Sequence, residues 1–253
     1  MSKISIKKLI THKKTLLLSL MLIISLALGL FVNQKFYHAD DTAIASLEST
    51  SSLTVVETSD YYAFIPVAEA TGSAFILYPG ALVDAKAYAP LMAKLAEQGA
   101  TSFIAKMPLN MAILKKDAAR QIIADYPNIT DWYIGGHSLG GVMAASYADE
   151  NPDLIKGIAF LASYPNKDLT DQPLKVVSLY GTNDGVLNMS AYQDAKRLLP
   201  TDSANYKEIP LIGGNHAGFG NYGSQSGDAT ATISSKIQQE LTVNALINLM
   251  NNN

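Results

Sequence analysis

The sequence predicts an α/β fold: a mostly parallel central sheet with helices on both faces, preceded by one N-terminal transmembrane helix. Three observations lead there. From Leu53 onward short, nearly all-apolar segments alternate with helical ones, and strands apolar on both sides belong to a sheet covered on both faces. One uncharged run, Thr15–Val32, stands before them. The 253 residues, 48% hydrophobic and 16% charged, suffice for a sizeable core and exclude general disorder.

The elements follow in chain order. Residues 1–14 form a basic segment with five lysines and no acid. Residues 15–34 hold the uncharged run, which as a helix spans about 27 Å, close to a hydrocarbon core. With lysines only before it, the N-terminus stays in the cytoplasm and the body is exported, a single-pass signal-anchor in the cell membrane. The alternatives are a cleaved signal peptide, with Ala27-Leu28-Gly29 as the small-x-small site and a secreted product, and a buried core helix. Residues 35–52, rich in Ser, Thr and Ala, read as a linker.

The domain occupies 53–250. Leu53–Thr58 and Tyr61–Pro66 are strands around Ser59-Asp60 and add an antiparallel edge. Ala74–Tyr78 is a strand, Tyr88–Gln98 a helix stopped at Gly99, and Thr101–Lys106 a strand. Met111–Asp125 is expected as a helix ended by Tyr126-Pro127. Then come strand Trp132–Gly135, helix Leu139–Asp149, strands Gly157–Leu161 and Lys175–Tyr180, helix Ser190–Leu199 and strand Tyr206–Ile209. A glycine-rich loop Gly213–Gly227 and a helix Ala229–Met250 complete the domain, with a frayed Asn tail.

Charge and composition exclude several functions. Thirteen basic and 22 acidic residues from Phe36 onward give that portion a formal charge of −9, unlike the basic face that nucleic acid requires. The absence of Cys excludes disulfides, Cys-ligated metals and a thiol nucleophile. No cofactor or metal is implied.

One motif carries chemistry. Strand Trp132–Gly135 runs into Gly136-His137-Ser138-Leu139-Gly140 and then a small-residue helix. This is G-x-S-x-G in a strand–turn–helix context. The turn strains Ser138, exposes its hydroxyl at a helix N-terminus, and leaves no room for a Cβ at Gly136 or Gly140.

A serine needs a base. The body has three histidines: His38 in the linker, His137 beside the serine with its side chain pointing away, and His216 in the glycine loop, which is left as the base. Asp184, four residues past strand Lys175–Tyr180, is the carboxylate that orients it, with Asp202 and Asp228 as rivals. The oxyanion donors are the N–H groups of Leu139 and Ala81, with Leu82 as alternative to Ala81; Pro79 has none to give.

Gly136-His137-Ser138-Leu139-Gly140-Gly141, Gly181-Thr182-Asn183-Asp184-Gly185 and Gly213-Gly214-Asn215-His216 together resemble the α/β-hydrolase superfamily over 53–250, in the order Ser138, Asp184, His216. The pattern is similar to the small lidless members near dienelactone hydrolase and short-chain carboxylesterases. Dienelactone hydrolase uses a Cys nucleophile, so its substrate is not carried over. Pro79-Gly80 stands where many members have His-Gly. In this superfamily a cap enters after the strand that follows the nucleophile helix. Ala162–Leu174 is too short for one, so the site is expected to be open, with Tyr164 and Pro165 as a lip. Phe219 and Tyr222 are either a further wall or core plugs.

The resemblance implies a serine hydrolase that cleaves carboxylic esters, short-acyl or polymer-borne, through Ser138, His216 and Asp184. An acyltransferase with the same residues is the alternative within enzymes. A non-catalytic binding domain on the same scaffold is the alternative outside them. The expected partners are a small-molecule or polymer-borne ester and, through the N-terminal helix, a membrane.

Overall fold

The computed structural model describes residues 36–68 and 72–251. The expected membrane span over 15–34 lies outside them, as does the end of the Asn tail. Among the described residues no helix is long and apolar enough to cross a membrane.

Eight strands form one sheet: β1 (Leu53–Glu57), β2 (Tyr61–Pro66), β3 (Ser73–Tyr78), β4 (Thr101–Ala105), β5 (Asp131–His137), β6 (Ile155–Leu161), β7 (Lys175–Gly181) and β8 (Tyr206–Leu211). Their spatial order is β1-β2-β4-β3-β5-β6-β7-β8. β1 pairs antiparallel with β2, and β2 antiparallel with β4; every later pairing is parallel. Short runs such as Ala74-Phe75-Ile76-Leu77 are buried on both faces, as a parallel sheet demands.

Successive side chains of β3 enter opposite cores. Phe75 and Leu77 pack with helix α2 (Ala89–Glu97) and the C-terminal helix α6 (Ser235–Asn251). Ala74, Ile76 and Tyr78 pack with α3 (Ala118–Asp125) and α4 (Leu139–Glu150). Each fully buried Phe, Ile or Leu contributes about 1.5–3 kcal/mol by leaving water. This two-sided anchorage holds the carboxyl ends of β3, β5, β6 and β7 in fixed register.

Three expected elements differ. Residues 36–52 are not a free linker. Tyr37 bridges to Val83 and exchanges backbone hydrogen bonds with Leu82 and Asp84. α1 (Asp41–Ala45), capped by the Asp40 carboxylate, buries Ala43. Low hydrophobicity concealed this docking because it runs through backbone bonds and a few scattered side chains, Tyr37, Ala39, Ala43 and Leu47, with no periodic apolar stripe.

The helix expected over Met111–Asp125 is broken. Leu109 and Asn110, with φ of 50° and 52°, lie in one short 3₁₀ turn (Pro108–Asn110), a second (Ala112–Leu114) follows, and regular helix begins only at Ala118. Tyr78 Oη accepts the Ala119 N–H and donates to the Lys116 carbonyl, taking over the bonds of an earlier turn.

The C-terminal helix starts at Ser235 rather than Ala229. Residues just before it are bound to other loops: the Thr230 carbonyl accepts from Asn183 Nδ2, and Thr232 N–H donates to the Gly213 carbonyl. The connection 162–174, where a cap would enter, holds neither helix nor strand.

Candidate active site

β5 ends at His137 and α4 begins at Leu139, so Ser138 alone makes the turn. Its φ of 51° and ψ of −124° are strained for a residue with a Cβ, and the surroundings enforce them. Ser138 N–H donates to the Leu161 carbonyl at 2.9 Å. Its own carbonyl accepts the buried Ser163 hydroxyl at 2.7 Å. A Cβ on Gly136 would run into the Gly140 backbone, and one on Gly140 into the Tyr78 carbonyl. Glycine at both positions lets strand, turn and helix approach this closely.

β7 lies two strands from β5, and the loop after it carries Asp184. Its Oδ1 accepts the N–H groups of Val186 and Leu187, each at 2.8 Å, in an Asx turn. Its Oδ2 lies 2.8 Å from His216 Nδ1. Both side chains are excluded from solvent. One oxygen of Asp184 thus closes its own turn while the other meets the His216 ring.

Ser138, Leu139 and His216 line one cleft of about 240 Å³, with Val142, Tyr164 and Val186 among its other walls. His216 Nε2 is buried without a hydrogen-bond partner among the described residues. Asp184 sits behind His216, outside the lining. Leu139, first residue of α4, has no intrahelical acceptor for its N–H and finds none elsewhere among the described residues.

Ala81 is not part of that lining. It follows β3, whose Tyr78 pairs with Gly136. On that loop Gly80 N–H donates to Tyr88 Oη at 3.0 Å, and Leu82 N–H to the Asn110 carbonyl at 2.8 Å. Ala81 N–H alone of the three has no acceptor among the described residues, which favours it over Leu82.

The other sequence candidates fall elsewhere. His137 is buried, 2.8 Å from Tyr88 Oη through Nδ1, and does not line the cleft. Burial, and secondly the neighbouring His216, hold its pKa well below the ordinary imidazole value. Asp202 is exposed and caps its own turn through Ala204 N–H. Phe219 and Tyr222 are core plugs. Tyr164 lines the cleft, whereas Pro165 is buried outside it.

Asp228 is not the orienting acid, yet it is not idle. Its carboxylate accepts the N–H groups of Gly185 at 3.0 Å, His216 at 3.2 Å and Ala217 at 2.9 Å. One side chain thus ties the acid loop to the histidine loop. Gln238, buried on α6, accepts Asn215 N–H at 3.0 Å and donates to the Asn215 carbonyl at 2.8 Å. Neither tie, nor that of Tyr88, is visible as a sequence motif, because each joins residues distant along the chain.

Comparisons agree with this architecture. A family model described as the alpha/beta hydrolase family matches residues 74–240. No curated protein matches the sequence. Among solved structures, a CIB-like hydrolase from Thermoplasma acidophilum is similar at 14% identity and TM-score 0.55, over 78% of this chain and 100% of that one. Est1E from Butyrivibrio proteoclasticus is similar at 14% identity and TM-score 0.55, over 79% and 99%. Naproxen esterase from Bacillus subtilis is similar at 11% identity and TM-score 0.57, over 83% and 95%. The fold, the serine turn and a family match spanning about two thirds of its length lead to one conclusion: this chain belongs to the alpha/beta hydrolase family.

Proposed function

We propose that the protein is a serine hydrolase of carboxylic esters in which Ser138 is the nucleophile, His216 the general base and Asp184 its orienting acid. The observation that carries this is the His216 imidazole. Nδ1 is committed to a buried carboxylate at 2.8 Å, while Nε2 is unpaired on a ring that borders the same cleft as Ser138. Asp184 holds the proton on Nδ1, so Nε2 is the basic nitrogen.

His216 Nε2 takes the Ser138 proton as Oγ attacks the ester carbonyl. The Leu139 and Ala81 N–H groups stabilise the negative oxygen that forms. Nε2 then protonates the departing alkoxide, leaving an acyl-Ser138 and a free alcohol. Water, deprotonated at the same nitrogen, attacks the acyl carbonyl. Ser138 recovers its proton and the acid leaves.

The cleft walls support a neutral substrate. Among the described residues the only titratable side chains lining the cleft are His216 and the Tyr164 phenol, and Leu139, Val142, Ala162, Val186 and Leu187 give it apolar surface. Its modest volume and the uncapped connection 162–174 favour a short acyl group, free or polymer-borne, over a long chain.

The test is labelling with a fluorophosphonate, followed by a series of p-nitrophenyl esters. Wild type is expected to label and Ser138→Ala not to. Equal labelling of both would remove Ser138 as nucleophile. A preference for acyl chains of twelve carbons or more would contradict the short-acyl reading.

The location proposed with this function is a cell membrane, with residues 15–34 as a retained anchor and the domain on the extracytoplasmic side. Its support is the uncharged run with lysines on one side only. Sizing the protein recovered from membranes tests it; a soluble form beginning near Leu30 would favour cleavage.

A further inference from the structure

The loop after β3 is held at two points, one on each side of Ala81. On one side Gly80 N–H donates to Tyr88 Oη, and on the other Leu82 N–H donates to the Asn110 carbonyl. Leu82 itself stands at φ 61°, a conformation that a branched side chain holds only under constraint. Ala81, between the two points, has an N–H with no acceptor among the described residues.

The Tyr88 anchor is buried and fully directional. Its oxygen accepts from Gly80 and lies 2.8 Å from His137 Nδ1, its other partner among the described residues, so the hydroxyl proton is assigned to that nitrogen. His137 must then be neutral with its proton on Nε2, in keeping with a depressed pKa at a site closed to solvent. Gly80 fits because it is a glycine: a Cβ there would lie 2.7 Å from His137 Nδ1 and 3.1 Å from Tyr88 Oη. The histidine beside the nucleophile thus receives a role other than base, as the acceptor that fixes the Tyr88 hydroxyl.

We propose that Tyr88 is a positioning residue for ester cleavage: with His137 as its acceptor it grips the Gly80 N–H and so aims the Ala81 N–H at the developing oxyanion. The inference rests on the Ser138 reading above and names a group acting on its transition state. A misplacement of about 1 Å at an oxyanion donor costs up to about 100-fold in rate, so a loosened loop should be felt in turnover rather than in substrate binding.

Tyr88→Phe keeps the ring and removes the hydroxyl. With active sites counted by fluorophosphonate titration, kcat per titrated site on a p-nitrophenyl ester is expected to fall about 10- to 100-fold with KM within about twofold. Affinity for an alkyl boronic acid, whose tetrahedral adduct on serine resembles the transition state, should fall in parallel. His137→Asn keeps an acceptor oxygen near the Nδ1 position and should retain more turnover than His137→Leu; this pair covers the case in which Tyr88→Phe does not fold. A stable Tyr88→Phe with unchanged kcat per site, or Asn and Leu variants of His137 that lose turnover equally, would overturn the clamp. Ser138→Ala is run alongside. If that variant still turns over substrate, the nucleophile reading fails and the clamp with it. If it is inactive while Tyr88→Phe is unaffected, only the clamp fails.

Discussion

The imidazole of His137 packs against that of His216 with ring centroids 4.4 Å apart and planes tilted by 51°. Both rings are closed to solvent, so two adjacent positive charges there would face neither water nor a second carboxylate. Of the two rings Asp184 meets only that of His216, and His137 is met by the uncharged Tyr88 hydroxyl.

This pairing makes folding sensitive to mild acid. Free His137 titrates near 6.5 when the chain is unfolded, and the fold lowers that value, chiefly by burial. Below about pH 6.5 the unfolded chain binds the extra proton, so stability falls as pH falls, by up to about 1.4 kcal/mol per unit for one group. Urea unfolding at pH 7.5, 6.5 and 5.5 should show that slope, above the range where carboxylates titrate, and His137→Asn should flatten it. A wild-type slope that survives in His137→Asn would assign the acid sensitivity elsewhere.

Asp228 links the loops of Asp184 and His216, so its removal should weaken both fold and turnover. Asp228→Ala strands four backbone N–H groups, those of Gly185, His216, Ala217 and Ala229. A loss of at least about 2 kcal/mol is expected, with kcat down about tenfold or more. Asp228→Asn should fall between it and wild type, since one acceptor oxygen remains. Chemical denaturation and steady-state kinetics measure the two effects; full activity in Asp228→Ala would show that the loops hold without this tie.

Gln238 acts from inside the core. Gln238→Leu keeps much of the volume but leaves both polar groups of Asn215, next to His216, without their partners. A loss of about 2–4 kcal/mol is expected. Hydrogen exchange of the 213–220 amides should accelerate more than that of β3 or β5. Uniform acceleration throughout the domain would argue against a local role.

Two glycines separate collision from backbone strain. Gly140→Ala drives a methyl group into the carbonyl at the end of β3 and should cost about 3 kcal/mol or more. Gly223, at φ +79°, has open space around it, so Gly223→Ala should cost only about 1–2 kcal/mol. Thermal unfolding of both variants checks the order, and equal costs would refute the steric account.

The strands were readable because each is a short apolar run with polar or glycine boundaries, as in Ala74–Tyr78 and Lys175–Tyr180. The serine turn was readable because its spacing is local. What sequence could not supply was everything set by distant partners. The helix expected from Met111 is interrupted because Tyr78, 41 residues before Ala119, captures its first turn. Asp228 looked like a surplus acid because Gly185, which it holds, lies 43 residues away. The polar run 36–52 looked like a tether because no periodicity records that Tyr37 continues onto Val83.

That last contact matters to anyone choosing where to begin a shortened version of the protein. The Tyr37 strap touches Leu82 and Asp84 on the loop that carries Ala81, and its ring rests against Tyr222, which in turn neighbours Tyr88. Starting at Leu53, where the first strand begins, would keep every strand of the sheet yet strip a brace from the loop that carries Ala81. A start upstream of Tyr37 preserves it, and a protease cut among residues 46–52 would become a way to loosen the site without touching a residue inside it.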